Sequence, residues 1–438
     1  MSRSGGRRVA MFVFNNGLHD QRVHKQAQAL GRAGYQVRVY CFLTPGLPFR
    51  EEREGYTLLR EDQRSHAARL FDDRLLGPLR RQLGSAKPDP PPEAPETLVM
   101  PPDQTPQRPC AKPSRELPPE ATASERDHWK YIARINRVWA ERAAEWAPHL
   151  VQAHDLDALE AAVLVGRKLN IPVLYDTHEL WSEQPFINSR EAVAYWDGLE
   201  KTLIAEASAI MTINHPLAEI LAERYGLSEV LALHNCQESQ ALAERPPNPQ
   251  PIALYQGALV PHRGCEQLIA AAARLRHVRL AIRGFGSSKQ ALRQLDREQR
   301  VLWWDAVPGP EVVQAAAQAD IGLIPFLPSC LNHYYSTPNK LFEYMAAGLA
   351  IAGSDIPEVS RFVSQYEVGG LFDPYSPSDI AETLDGIACS GQLEEMKQRA
   401  RQACEQRWNW EREVQQYLSL VERLLSAGAV GSASAGPG

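Results

Sequence analysis

The feature that most restricts what this chain can fold into is a repeated alternation of short apolar runs with amphipathic stretches of helical length. Arg8–Phe14 is followed by Asp20–Ala33, and Val37–Phe42 comes just after Gly34. Apolar runs of this length, separated by helix-length segments, are the mark of βα units whose strands pair in parallel under a cover of helices. The pattern resumes with a helix over Glu125–Trp146, a strand over Leu150–Ala153, a helix over Leu156–Leu169, a strand over Val173–Tyr175, a helix over Ala192–Ala207 and a strand over Ala209–Ile213. Pro246, Pro247, Asn248, Pro249 and Pro251 then form a linker. Beyond it a second series begins, with strands expected at Ile252–Tyr255, Arg279–Ile282, Val301–Trp304, Ile321–Pro325 and Ala350–Gly353, and helices at Pro310–Ala319 and Pro338–Ala347.

A chain of 438 residues has room for two such α/β cores. The expected division is a first domain over 1–240, a second over 241–405, a helix over 406–427 and a disordered tail over 428–438. Twelve of the 33 prolines lie between Pro88 and Pro119 with few apolar residues among them, so 85–122 reads as a surface insertion in the first domain. Leu393–Leu425 is helical, with a break at Asn409 between Trp408 and Trp410.

Composition narrows the function classes. Hydrophobic residues at 44% and charged residues at 23% are ordinary globular values and exclude a fibre or a largely disordered chain. The net charge of −6 gives no basic footprint for nucleic acid. The seven cysteines (Cys41, Cys110, Cys236, Cys265, Cys330, Cys389, Cys404) are scattered and form no CxxC pair, which fits a reducing compartment and gives no zinc signature. His19, His24 and His178 show no HExxH spacing, and no metal is expected. Val9–Phe14 is too short for a signal-peptide core and no stretch reaches a spanning length, so a cytoplasmic protein is expected. Residues 1–84 nevertheless hold fifteen Lys/Arg against eight Asp/Glu. Arg69, Arg74, Arg80 and Arg81, interleaved with Leu70, Phe71, Leu75, Leu76 and Leu79, can lie on an anionic membrane surface or pack on their own domain.

The strongest local signal is Ser336-Thr337-Pro338-Asn339-Lys340-Leu341-Phe342-Glu343-Tyr344 through Gly348. Thr337 is expected as N-cap with Pro338 as the first helical residue. A helix N-terminus favours an anion, and Lys340 adds a full positive charge where the dipole alone would prefer an acid. Glu343 follows at i+3 on the same face. It can accept hydrogen bonds from adjacent sugar hydroxyls, or simply pair with Lys340. Tyr255-Gln256-Gly257-Ala258 ends a strand and leads to Arg263, at the carboxyl end where ligands of parallel sheets bind. Gly284-Phe285-Gly286 allows close backbone approach to a ligand, but the chain has neither a full GxGxxG nor a Walker A sequence, which removes the main support for a dinucleotide oxidoreductase or a P-loop NTPase. Asp155-Leu156-Asp157 has the form of a metal-binding DxD, although capping explains aspartates at a helix start equally well.

In order along the chain, Asn15-Asn16-Gly17 through Asp20-x-Arg22, Ala153-His154-Asp155, Asp176-Thr177-His178-Glu179, His234-Asn235-Cys236, Gly257 through Arg263-Gly264, Gly284-Phe285-Gly286 and Pro338 through Gly348 resemble the retaining GT-B glycosyltransferases of family 4. The resemblance covers nearly the whole chain. It implies two Rossmann-like domains facing each other across a cleft, the first binding the acceptor and the second the nucleotide-sugar donor, with the C-terminal helix crossing back to the first. By the same resemblance His154 faces the donor sugar, Arg263 and Lys340 neutralise the diphosphate, and Glu343 holds the ribose. Gly17, Gly257, Gly284, Gly286, Pro338, Asn339 and Leu341 join the donor site, and the base sits near Val307. The nucleotide-sugar is a substrate, no cofactor is implied, and a sugar or lipid-linked acceptor at the inner face of the cell membrane completes the reading. The family usually carries a second glutamate eight positions before Glu343, where this chain has Tyr335. Two other readings stay open: a non-catalytic nucleotide-sugar-binding subunit, suggested by Tyr335, and a nucleotide-sugar 2-epimerase, which shares the two-lobed architecture but not the Pro-Asn-Lys-Leu-Phe-Glu-Tyr pattern.

Overall fold

The structure is a computed structural model that describes residues 6–18, 20–61 and 116–433, with side chains described as far as residue 427. Most of the proline-rich insertion and the whole basic stretch from Arg69 to Arg81 lie outside the described residues. The first lobe runs through Arg8–Val13 (β1), Gln21–Arg32 (α1), Gln36–Phe42 (β2), Arg50–Arg53 (β3), Tyr56–Glu61 (β4), Ala123–Trp146 (α2), Leu150–His154 (β5), Leu156–Leu169 (α3), Val173–Thr177 (β6), Arg190–Ile204 (α4), Ala209–Thr212 (β7), His215–Tyr225 (α5) and Leu231–Ala232 (β8). The second runs through Ile252–Ala258 (β9), Cys265–Ala272 (α6), Arg279–Phe285 (β10), Lys289–Leu295 (α7), Val301–Trp304 (β11), Val312–Ala316 (α8), Ile321–Ile324 (β12), Leu331–Tyr334 (α9), Asn339–Ala346 (α10), Ala350–Ser354 (β13), Pro357–Tyr366 (α11), Gly369–Phe372 (β14), Pro377–Cys389 (α12) and Leu393–Gln406 (α13). A last helix, Trp410–Ala433 (α14), follows.

Strands β5, β6, β12 and β13 are buried at nearly every position, because helices cover both faces of each sheet. The first sheet has the order β3-β4-β2-β1-β5-β6-β7-β8 and the second β11-β10-β9-β12-β13-β14. Pairing is parallel except where β3 runs antiparallel to β4. In each sheet the winding reverses once, between β1 and β5 and between β9 and β12, and such reversals open a crevice beyond the carboxyl ends of the strands. The two crevices face each other. The β3–β4 hairpin was not read from sequence: Arg50-Glu51-Glu52-Arg53 carries no apolar signal, and its charges suit an edge strand.

The helix break at Asn409 has a visible cause. Its amide donates to the carbonyls of Cys404 and Glu405 at the end of α13, and its Oδ1 accepts from the Arg412 N–H at the start of α14. The chain turns there and crosses back, so that Trp410, Val414, Tyr417, Leu420, Val421 and Leu425 join the apolar cluster formed by β1, β2 and α1 of the first lobe. α14 continues to Ala433, so residues 428–433 are helical where a disordered tail was expected; they extend turns that are already docked through Leu425.

Gly284 and Gly286 turn out to serve packing. A Cβ on Gly284 would stand 2.0 Å from the Gly257 carbonyl oxygen, and one on Gly286, at φ +149°, 2.2 Å from that of Leu259. Strain of this kind costs about 1–3 kcal/mol. Gly286→Ala is therefore expected to lower stability to urea denaturation by about that amount, with the loop between β9 and α6 displaced.

Candidate active site

A cleft of about 870 Å³ separates the carboxyl ends of the two sheets, a size suited to a small-molecule ligand. The second lobe supplies one wall. Lys340 lies in the first turn of α10, where no side chain caps the helix and no acidic residue offsets the exposed N–H groups. Its Nζ sits 5.0 Å from the centroid of the Tyr255 ring, and a Cβ on Gly257 would come within 3.4 Å of it. Arg263, just before α6, lays its guanidinium 4.4 Å from the centroid of the Phe326 ring. Aromatic faces hold both cations in place. Among the described residues no carboxylate comes within ion-pair distance of either, and the Lys340–Glu343 pair weighed from the sequence does not form. Burial, aided by Arg263, lowers the Lys340 ammonium to about 8. Glu343, held 3.5 Å from the Gln256 amide, is pushed up by its own burial.

The first lobe supplies the other wall, built on a buried ion pair. Asp176, at the end of β6, accepts from Arg22 Nη2 at 2.6 Å and Nε at 2.9 Å, and from Gln26 Nε2 at 2.8 Å. Both partners stand on α1, whose start is fixed by Asp20 accepting from the Val23 N–H. Burial alone would raise the Asp176 carboxyl, but Arg22 and the two neighbouring histidines hold it well below the usual carboxylate range. His178 has Nδ1 3.2 Å from Asp155 and Nε2 3.4 Å from Asp176. Burial opposes its charge, yet these two carboxylates raise it well above an ordinary histidine. Beside it Glu179 is pushed up to about 7 by burial and by Asp155.

His154 Nδ1, His178 Nε2 and Asp176 Oδ2 lie 3.3 to 3.4 Å apart, a spacing that tetrahedral zinc would accept. The donor chemistry does not fit. Asp176 Oδ2 is already engaged by Arg22 and Gln26, and a dication would sit against the Arg22 guanidinium. Asp155 does not act as the expected cap: at φ +65° it makes no capping bond and turns to the His178 N–H and imidazole.

Of the residues expected from sequence, Gly257, Arg263, Pro338, Asn339, Lys340 and Glu343 line the cleft. His154 does not. It is fully buried beneath His178, between Gln152 and Asp176, because β5 is central and covered on both faces. Leu341 faces the core of the second lobe, as a helix residue one position from Lys340 must. Gly17 packs on Cys41 and Leu58, and Gly284, Gly286 and Val307 stand outside the cleft lining. The loop carrying Val307 does meet the first lobe, since a Cβ on Gly309 would lie 2.9 Å from Gln21 Nε2. Thr337 is not the N-cap. Pro338 holds that place with ψ 131°, and Thr337 Oγ1 instead accepts from Asn214 and donates to Glu358. Asn214, which sequence reasoning passed over, also caps α5 and donates to the Tyr335 carbonyl, tying the lobes together. The Tyr335 ring packs against the apolar cluster of Leu180, Leu217 and Leu221 in the first lobe.

Two family profiles match the chain: "Glycosyl transferase 4-like domain" over residues 19–236 and "Glycosyl transferases group 1" over 250–389. The chain belongs to the group 1 glycosyl transferases and is a glycosyltransferase of GT-B fold. Among solved structures it is similar to sucrose-phosphate synthase from Thermosynechococcus elongatus, at 16% identity and a TM-score of 0.70, covering 96% of this chain and 100% of that one. Anabaena HepE in complex with UDP aligns at 12% identity and 0.60, covering 95% and 100%, and the lipopolysaccharide outer core galactosyltransferase WaaB at 15% and 0.58, covering 95% and 99%. No curated protein sequence matches it.

Replacing Asp176 by Asn leaves the buried Arg22 guanidinium without its counter-charge, and breaking such a pair costs about 3–5 kcal/mol. Asp176→Asn is expected to unfold at correspondingly lower denaturant. In the parent, the stability contributed by the depressed Asp176 carboxyl is present above pH 4 and is lost as pH falls further through its folded-state value.

Proposed function

We propose that this glycosyltransferase moves a sugar from a nucleotide-sugar donor to a sugar or lipid-linked acceptor with retention of anomeric configuration and without a metal. The observation that carries the reading is the pair Arg263 and Lys340, half-buried in the cleft, Lys340 at an uncapped helix start, with no carboxylate at ion-pair distance among the described residues. Two like charges held together in a polar cleft call for a polyanion, and a pyrophosphate matches their number and placement. HepE in complex with UDP-glucose aligns over 95% of the chain, which agrees with a donor of that class.

As the anomeric C–O bond breaks, negative charge grows on the departing diphosphate and the sugar becomes oxocarbenium-like. Arg263, Lys340 and the amide end of α10 stabilise that charge where it develops. They are fixed before the reaction by Phe326, Tyr255 and Gly257, so little reorganisation is needed. Glu343 holds the ribose hydroxyls, which would supply its buried carboxylate with hydrogen bonds beyond the long one from Gln256. If retention is reached in a single displacement, the acceptor attacks from the face the phosphate leaves, and the leaving phosphate is the base that takes the acceptor proton. The first lobe receives the acceptor, and closure of the lobes keeps water from the activated sugar. Peripheral contact with an anionic membrane belongs to the same proposal and rests on the basic sequence of residues 69–81. Among the described residues no helix is long and apolar enough to cross a membrane.

Turnover of a panel of nucleotide sugars, followed as donor hydrolysis or transfer, tests the reading. Arg263→Ala and Lys340→Ala are each expected to lower kcat by about 10²- to 10³-fold, the usual effect of deleting one charge-stabilising donor, with an unchanged circular dichroism spectrum. Parental turnover in either variant contradicts the assignment. Because Lys340 loses its charge as pH rises through about 8, nucleoside-diphosphate affinity in the parent should fall above that pH. Lys340→Arg, whose guanidinium stays charged, should flatten the decline.

A further inference from the structure

We propose that Glu179 is the specificity-determining contact of this enzyme, its carboxylate accepting hydrogen bonds from hydroxyls of the transferred sugar, and that the sugar is an uncharged hexose. The inference rests on the donor orientation proposed above. With the ribose at Glu343 and the diphosphate on Lys340 and Arg263, the sugar falls in the part of the cleft walled by His178, Glu179, Asn332 and His333. Of these, the carboxylate is the group that can accept from two adjacent hydroxyls.

The other acids on this wall are already engaged. Asp20 accepts from Asn15 Nδ2 at 2.9 Å and from the Val23 N–H at 3.2 Å. Asp155 takes the His178 N–H at 2.8 Å and the imidazole at 3.2 Å. Asp176 is closed off beneath Arg22. Glu179 differs: it lines the cleft beside Asn332 of the second lobe, and His178 and then Arg263 are the cations that act on its carboxylate. Asn332 is itself fixed, its Oδ1 accepting from the Leu180 N–H at 3.1 Å, so the second lobe is tied to the residue that follows Glu179. The Glu179 backbone carbonyl is held by Thr177 Oγ1 at 2.9 Å, which steadies the turn that carries it.

Charge excludes the acidic alternative. Asp20, Asp155 and Glu179 line or underlie this end of the cleft, and the His178 imidazolium is locked between Asp155 and Asp176. A uronate would place a further carboxylate among them. A neutral hexose brings only hydroxyl donors, which relieve the desolvated Glu179.

The test measures binding of UDP, GDP, ADP and dTDP, then binding and turnover of UDP-glucose, UDP-galactose, GDP-mannose, ADP-glucose, dTDP-glucose and UDP-glucuronate, for the parent, Glu179→Gln and Glu179→Asp. The expected result has three parts: the parent uses a neutral donor and not the glucuronate; Glu179→Gln binds the matching diphosphate within about twofold of the parent but loses about 10- to 100-fold in kcat/KM, the effect of one charged hydrogen bond; and Glu179→Asp recovers part of the loss. Parental kcat/KM in Glu179→Gln, or equal use of UDP-glucuronate, overturns the proposal. So does an equal loss of diphosphate and donor affinity, which marks Glu179 as a lobe-docking residue acting through Asn332. A parent that binds none of the diphosphates overturns the donor reading itself, and this inference with it.

Discussion

Two cations share the cleft with no carboxylate at ion-pair distance among the described residues, and the rest of the structure makes sense as the frame that holds them there. Left to itself an ammonium beside a guanidinium would swing into water or find a carboxylate. Here the strand end at Gly257, the Tyr255 ring and the Phe326 ring leave Lys340 and Arg263 little other room. The lowering of Lys340 from an ordinary value near 10.5 to about 8 corresponds to on the order of 3 kcal/mol of unfavourable environment. A fold tolerates such a cost where a ligand removes it. The two switch points that face each other across the cleft bring these groups to the place where parallel sheets bind ligands.

The opposite wall is built on the reverse principle, with charge paired as completely as geometry allows. Arg22 and Asp176 join α1 to β6, and Gln26, Gln152 and Tyr417 continue the network to the last helix, whose hydroxyl donates to Gln152 Oε1 at 2.7 Å. Satisfied networks of this kind are rigid, since any displaced member leaves a buried polar group unpaired. The helix that crosses back from the second lobe therefore ends up supporting the floor of the cleft in the first. The lobes also meet directly through Asn214, Tyr335 and Thr337, and through Leu180 and Asn332.

The architecture was legible in the sequence wherever apolar runs were long enough to fill a two-sided sheet, as in Arg8–Phe14, Leu150–Ala153 and Ile321–Pro325. It was illegible at β3, where four charged residues form an edge strand that no hydrophobic period marks. The chemistry of the second lobe could be read locally, because Lys340 and Glu343 stand on one short helix and Arg263 lies in the short loop between β9 and α6. The first lobe could not be read that way. Whether His154 or His178 reaches the cleft depends on which strand is central and where β6 ends, and the covered position of β5 puts His154 out of reach. Glu179 owes its character to burial in the cleft and to Asp155, 24 positions away on another strand end, surroundings with no local signature. Tyr335, conspicuous in sequence as a missing glutamate, proves to be an apolar contact between lobes.

The most direct measurement is a crystal structure of the protein soaked with the nucleoside diphosphate that stabilises it most against heat. The account requires the pyrophosphate oxygens within hydrogen-bond distance of both Lys340 Nζ and the Arg263 guanidinium, at the start of α10, with the ribose against Glu343. A diphosphate bound elsewhere, or in the cleft with either cation turned away from it, would contradict the account at its centre.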